Sequence, residues 1–422
     1  MDSRTRLQDR RDLLTGAGVG AWLLSSNERA DAEPTLEANG RFVNVRDFGA
    51  KGDAQADDSE SFLRAIDQGR VTRCPVLVPD GRYRLSRPLS VPPQGLVGNP
   101  WGSWVADVVS LPVLLPENMD SPALTTEAGG SIAGIEVRYP NPDPRSPIQR
   151  PSAIRLGETG ATVRCVKITN PWVGIDTQAV HTNPGRTVVE NVFVSAAHKT
   201  GVHFTGAADV CLFRNVEVWT PPSTSSTFLA EGTAFHFQRG DGIRITDCFA
   251  FGANEGFLFT ESEVDGPLAG VFTGYLSNCL SDFCNTGIEL RGDHRVTITG
   301  GSNWSHGSCI RLEEGASTLL ASAVEMASNA YPGLFVGSAK DVVLQGCRLE
   351  RPHADFRGPA IQISGGDRIN LQGNTIRSHT GPAVLVDATE GSLLMQANIL
   401  EGGLELQESP NLNARVEGNL EA

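Results

Sequence analysis

The sequence predicts an all-β protein, a right-handed parallel β-helix, on three observations. A four-residue strand pattern recurs down the chain, a second column of small and amide residues follows it out of phase, and the composition is rich in turn formers. The tetrad is small or Gly, apolar, variable, apolar. It reads AIRL (153–156), GIDT (174–177), GVHF (201–204), AFHF (234–237), GFLF (256–259) and GIEL (287–290). It continues as CIRL (309–312), GLFV (333–336), AIQI (360–363), AVLV (383–386) and GLEL (403–406). Starts are roughly 20 to 33 residues apart, the period of a solenoid whose every coil contributes three short strands and turns of variable length.

The second column reads NVFV (191–194), NVEV (215–218), DCFA (247–250), NCLS (278–281), GCRL (346–349), GNTI (373–376), ANIL (397–400) and GNLE (418–421). Its second letters are Val192, Val216, Cys248, Cys279, Cys347, Asn374, Asn398 and Asn419. Asparagines stacked at the ~4.8 Å strand spacing can hydrogen-bond along the stack and satisfy backbone groups that a bend would strand. The three cysteines then read as buried packing groups rather than disulfide partners or ligands. No pair of the eight cysteines is spaced C-x-x-C, which also argues against a metal centre. Gly (46) and Pro (25) are plentiful while aromatic residues make up only 6%, as many short strands and turns require.

The formal net charge is -14, and only four of the 35 basic side chains are lysines: Lys51, Lys167, Lys199 and Lys340. Nucleic acid is therefore a poor partner on charge, and an acidic polysaccharide would meet repulsion unless locally offset. Residues 1–32 read as an export signal. Arg4, Arg6, Arg10 and Arg11 precede an apolar run from Leu13 to Leu24, and Ala30-Asp31-Ala32 offers a cleavage site. Arg10-Arg11 followed by Asp12-Leu13-Leu14 resembles a twin-arginine signal, which predicts a periplasmic or extracellular location. No other stretch reaches the ~20 apolar residues of a membrane span. The β-helix domain is expected over 33–422, with 44–70 as an N-terminal α-helical cap.

That cap carries the family resemblance. Asn44-Val45-Arg46-Asp47-Phe48-Gly49-Ala50-Lys51-Gly52-Asp53 and the following segment through Ile66 resemble the opening motif of the pectate-lyase-like superfamily, and Val76-Leu77-Val78-Pro79-Asp80-Gly81-Arg82-Tyr83 resembles the strand and turn after it. The superfamily includes polygalacturonases, rhamnogalacturonases, β-1,3-glucanases and phage tailspikes. In physical terms the motif is a fold element. Asp57 as N-cap with Glu60 three residues on makes a capping box, and Phe62, Leu63 and Ile66 form one apolar face. Capping is thus the reading of Asp57 and Asp58 preferred to an acid/base dyad. The polygalacturonase signatures are absent: the nearest strings are Gly240-Asp241-Gly242 and His306-Gly307. The resemblance implies action on a polysaccharide, and since trimers occur in such families it leaves a homotrimer open.

Chemistry is expected on the outward file of the tetrads. Their third letters run Arg155, Asp176, His203, His236, Leu258, Glu289, Arg311, Phe335, Gln362, Leu385 and Glu405. Residues of neighbouring coils lie ~5 Å apart, so Asp176 is placed to orient His203, and His203 to lie beside His236. Asp176, His203, His236, Glu289 and Arg311 are the catalytic candidates. Arg155, Gln178, Gln238, Arg291 and Glu313 widen the strip as substrate-binding candidates, with Trp172, Trp219, Trp304 and Tyr331 as stacking surfaces. The bland alternative is an ordinary solvated sheet face.

A glycoside hydrolase needs two carboxyls roughly 5 to 9.5 Å apart. Asp176 and Glu289, four coils or ~19 Å apart, cannot supply them, whereas Glu289 with Glu313 or with Glu261 can. A polysaccharide lyase or epimerase needs a base and a cation, for which a histidine and Arg155 or Arg311 are candidates. A non-catalytic glycan-binding or surface structural protein is the rival from another class. No cofactor is called for; calcium alone stays open, because Glu261, Glu263 and Asp265 cluster in the long turn 260–270, a cluster that reads more readily as a solvated loop.

Overall fold

The computed structural model describes residues 42–104, 110–117, 120–140, 143, 146–177, 182–262, 269–351 and 358–421. Residues 1–32, expected to be an export signal, and Gln178, His181, Glu263, Asp265 and His353 lie outside them. Every strand pairing between named strands is parallel, and the eleven tetrads lie in one 13-stranded sheet that Leu89–Val91 and Leu124–Thr126 complete at its N-terminal end. In the C-terminal half each coil carries three strands, for example Thr286–Arg291, Arg295–Thr299 and Ser302–Ser305, followed in register by Ile310–Glu314, Thr318–Ser322 and Glu325–Ser328. Among the described residues no helix is long and apolar enough to cross a membrane.

The bend between the second and third strands has a backbone cause. The first letter of the second column is left-handed in every coil: Asn191, Asn215, Asp247 and Asn278 have φ of 54°, 52°, 54° and 52°, and Gly346, Gly373, Ala397 and Gly418 have 60°, 63°, 55° and 59°. Asn, Asp and Gly tolerate that region at least cost, which is why they recur there. The residue after each bend is buried, except the half-buried Asn419 of the last coil, and these residues form the stack expected of them. Asn374 and Asn398 donate through Nδ2 to the carbonyls of Leu344 and Leu371 at 2.9 and 2.8 Å. The side-chain oxygens of Asn374, Asn398 and Asn419 accept from the backbone N–H of Cys347, Asn374 and Asn398, each in the preceding coil. Cys248, Cys279 and Cys347 are buried and unbridged. Asn398→Ala is expected to cost roughly 1–3 kcal/mol, because Leu371 C=O and Asn374 N–H lose their partners in a dry turn; a urea midpoint unchanged from the parent would refute this.

The N-terminal helix Ser59–Thr72 packs on the strands Val43–Asn44, Val76–Leu77 and Leu89–Val91 through Phe62, Ala65 and Ile66. The capping expectation is corrected by one residue. Asp58 occupies the N-cap without a side-chain cap bond; its carboxylate instead accepts from Lys51 and Gly52 N–H. Asp57 Oδ1 accepts from Ser59 N and Oγ, and Glu60 turns outward to Arg87 instead of closing a capping box. Both aspartates therefore serve the chain's own backbone and hydroxyls.

Candidate functional site

The outward file stands in register as the tetrads place it. Arg155 pairs Asp176, Asp176 pairs His203, His203 pairs His236, His236 pairs Leu258, Leu258 pairs Glu289 and Glu289 pairs Arg311. Phe335, Gln362, Leu385 and Glu405 continue it. The apolar letters on either side point inward and are buried, as at Phe235 and Phe237 around His236. A solvated face does not describe the middle of this file, since Asp176 (7%), Leu258 (6%) and Glu289 (3%) are buried.

Two clusters occupy it. In the first, His203 Nδ1 meets Asp176 Oδ1 at 3.1 Å, and Arg155 approaches the other carboxylate oxygen at 3.8 Å. Gln238 Nε2 donates to the Glu261 carbonyl at 3.0 Å and to Thr260 Oγ1 at 3.1 Å, so its Oε1 is the atom that faces His203 Nε2 at 3.0 Å. Both ring nitrogens of His203 therefore face acceptors, an arrangement that favours the protonated ring. Thr260, accepting from Gln238, gives its own proton to His236 Nε2 at 2.8 Å, which leaves His236 neutral with its proton on Nδ1. The two rings stack at 4.9 Å. Burial opposes the charge on His203, but the hydrogen bond and charge of Asp176 outweigh it and hold the imidazole above its ordinary value. Burial first, then the charges of His203 and Arg291, push His236 down to about 3.

These shifts have opposite consequences for stability. The His203 contribution is complete below the unfolded value near ~6.5 and is lost as pH rises through its raised folded value. The His236 contribution is complete above ~6.5 and is lost as pH falls toward about 3. The unfolding midpoint is expected to show a neutral maximum whose alkaline limb flattens in His203→Gln and whose acidic limb flattens in His236→Gln. Parallel profiles for the three proteins would refute the assignment.

The second cluster lines a cleft of about 530 Å³ bounded by Glu255, Asn285, Glu289, Arg291, Arg311, Glu313 and Tyr331 among others. Arg291 Nε bonds Glu289 at 2.8 Å and its NH2 lies 3.6 Å from Glu255. With guanidinium nitrogens ~2.3 Å apart, the two carboxylate oxygens on Arg291 are separated by no more than about 9 Å. Glu255 also accepts from Thr233 Oγ1 at 2.9 Å and Asn254 Nδ2 at 2.7 Å. Burial, with the charge of Glu289, holds its carboxyl above the usual range despite the lowering bond from Thr233. Thr260 stands beside Arg291 in register, so the clusters are contiguous.

Glu255 is a further carboxyl beside Glu289, on the same Arg291, in addition to the Glu313 and Glu261 that sequence reasoning set against Glu289. Glu313 bonds Arg311 at 2.6 Å, and it is the extra residue of an irregularity in which Arg291 pairs Glu314 instead. Glu261 Oε1 accepts from Asp293 N–H at 3.1 Å. A signal for Glu255 was present. The position before each tetrad reads Ser152, Val173, Thr200, Thr233, Glu255, Thr286, Ser308, Pro332, Pro359, Pro382 and Gly402, in which the glutamate is the one charge. Among the described residues no group of three His, Cys, Asp or Glu side chains is arranged to hold a metal ion.

Comparison with known proteins agrees with this architecture. Residues 42–107 match the family model described as rhamnogalacturonase A/epimerase, pectate lyase-like, and residues 286–420 match the right-handed β-helix region. A glucan 1,3-beta-glucosidase from Cochliobolus carbonum is 37% identical over 99 residues, covering 19% of this chain and 12% of that protein, so the chain spans a small fraction of the relative it matches. Among solved structures, the mannuronan C-5 epimerase AlgE6 A-module from Azotobacter vinelandii aligns over 90% of this chain and 99% of its own, with a TM-score of 0.50 and 15% identity. The catalytic domain of a GH87 alpha-1,3-glucanase aligns over 94% and 70%, with a TM-score of 0.53 and 13% identity. The Dettilon tailspike protein aligns over 89% and 68%, with a TM-score of 0.53 and 12% identity. At such identities the likeness is one of fold, and with the β-helix-region match it shows this chain to be a right-handed parallel β-helix protein whose residues 42–107 match the pectate-lyase-like model.

Proposed function

We propose that the chain is an exported carbohydrate-active enzyme, a glycoside hydrolase that cleaves an extended, neutral polysaccharide in the cleft between Glu255 and Glu289. The observation that carries the reading is the pair itself: two carboxyls on one arginine, one of them held above its usual range, inside an open cleft. Such a pair divides into acid and anion. Glu255 donates its proton to the departing glycosidic oxygen, while Glu289, bonded to Arg291, either stabilises the oxocarbenium-like centre or activates the attacking group. The glucanase and glucosidase activities in the names of similar proteins support a glycan as substrate.

Elimination or epimerisation of a uronate fits the site less well. It needs a cation for the sugar carboxylate, yet Arg291 and Arg311 are already paired with glutamates and Arg155 stands against Asp176. It also needs a base, yet both nitrogens of His203 are engaged and His236 is held to about 3. In this reading Asp176, His203 and His236 are positioning residues that fix Gln238 and the wall of the groove. Incubation with a panel of neutral glucans and polyuronates decides. New reducing ends without absorbance near ~235 nm are expected from neutral glucans, whereas an unsaturated uronate product, or no turnover alongside firm glycan binding, would replace hydrolase by lyase or by binder.

A further inference from the structure

A second, smaller cleft adjoins the acidic one around the corner of the coil. It measures about 200 Å³ and is lined by Asp282, Phe283, Trp304, Ser305, His306, Ala327 and Asn329. His306 lines both clefts. Trp304 is 56% exposed and Phe283 38%, on the outer face of a sheet whose inner residues Cys284 and Asn303 are buried. The exposure has a local cause. Phe283 is the extra residue where the register shifts between Asp282 and Cys284, and its φ is 56°, the sole aromatic with positive φ among the described residues. A bulge re-aims a side chain, and a bulky residue in the left-handed region is retained only where its surroundings enforce it. Here the result is a ring set edge-on against His306 at 4.5 Å and stacked on Phe251 at 5.8 Å, beside the indole of Trp304.

We propose that Trp304, Phe283 and His306, with Asp282 and Asn329 at the rim, form a subsite that stacks one ring of the glycan whose neighbouring residues occupy the acidic cleft. The inference rests on the hydrolase reading of that cleft and deepens it. The ligand is a neutral hexopyranose. Its C–H face suits an exposed indole, its hydroxyls suit a carboxylate and an amide, and no lysine or arginine lines the cleft to receive a charged sugar. The shared His306 makes the two clefts continuous, so the glycan crosses from the tetrad sheet over the corner at His306 and Tyr331 onto the adjoining face. It therefore wraps partly around the coil, where the file of outward residues alone suggested a path along the axis.

The test uses the full chain carrying Glu255→Gln to suppress turnover, titrated calorimetrically with α- and β-1,3-linked gluco-oligosaccharides of two and six residues and with hexagalacturonate. Adding Trp304→Ala is expected to weaken the six-residue glucan by about tenfold and leave the two-residue glucan unchanged, with Trp304→Phe restoring most of the loss. Equal affinity for the six-residue glucan with and without Trp304 overturns the subsite. So does an equal loss for both lengths, which would mean damage to the acidic cleft, or preferred binding of hexagalacturonate. A change of oligomeric state with unaltered binding would make this face a contact between copies instead. Persistent turnover by the Glu255→Gln protein would refute the role of Glu255 while the Trp304 comparison still decides the subsite. Failure of every glucan both to bind and to be cleaved overturns both.

Discussion

Glu255→Gln is expected to lower kcat on a neutral polysaccharide by about 10³-fold, the scale of a lost general acid, while the fold persists. Glutamine keeps the shape of the side chain and can still accept from Thr233 Oγ1, whose 2.9 Å bond tethers the carboxyl. What it cannot do is deliver a proton. Two further readouts separate this role from simple damage. Activity of the parent falls as pH rises through the raised value of the Glu255 carboxyl, and that limb is expected to vanish in the variant. An aryl glycoside, whose departing phenolate needs little protonation, is expected to lose far less than the polysaccharide. Glu289→Gln is expected to lose activity on both substrates alike, because the anion is needed whichever group leaves. If Glu255→Gln retains turnover within about threefold, or loses equally on both substrates, the division of labour between the two carboxyls is wrong.

The outward file was legible because a coil is a strong constraint. Once the tetrads are accepted as one per winding, alternation along a strand dictates which residue faces out, and parallel register dictates its neighbour. Asp176, His203 and His236 fall together for that reason alone. Residues next to a turn are not so bound. Glu255 opens its strand, before alternation takes hold, and its usefulness arises from Arg291, two positions beyond the file and one coil away. Phe283 was illegible for a related reason: a bulge adds a residue to one coil and reverses the facing of the residues after it, and the string Ser281-Asp282-Phe283-Cys284 carries no mark of it. The cap shows a smaller version of the same limit. The helix and its apolar face are dictated by the sequence, but which of two adjacent aspartates serves its first turn depends on Lys51, Gly52 and Ser86 in neighbouring segments.

Beneath the histidines the interior is aromatic, and Phe237→Ala is expected to cost about 3–5 kcal/mol. Phe237 is fully buried, with ring centroids of Phe213, Phe259 and Phe272 at 5.3, 5.8 and 5.6 Å and those of Phe204 and Phe235 slightly farther. Five rings surround the vacated volume, two stacked on it, two edge-on and one tilted, and they cannot collapse into it without leaving their rotamers, so the upper part of that range applies. In a solenoid each coil is supported by its neighbours, so the loss falls on the coils bearing Phe204 and Phe259 as well. Phe335→Ala is the control, since Phe335 belongs to the same sheet but lies in the outward file under Arg311, at 5.6 Å, and its removal is expected to cost less than about 1 kcal/mol. A chemical-denaturation comparison of the two variants measures the difference. Since His236 lies between Phe235 and Phe237 on one strand, the interior variant is also expected to loosen the stacked imidazoles and to flatten the neutral stability maximum, whereas the outer one leaves that profile intact. Equal destabilisation by the two would mean that the aromatic interior does not hold the groove above it in place.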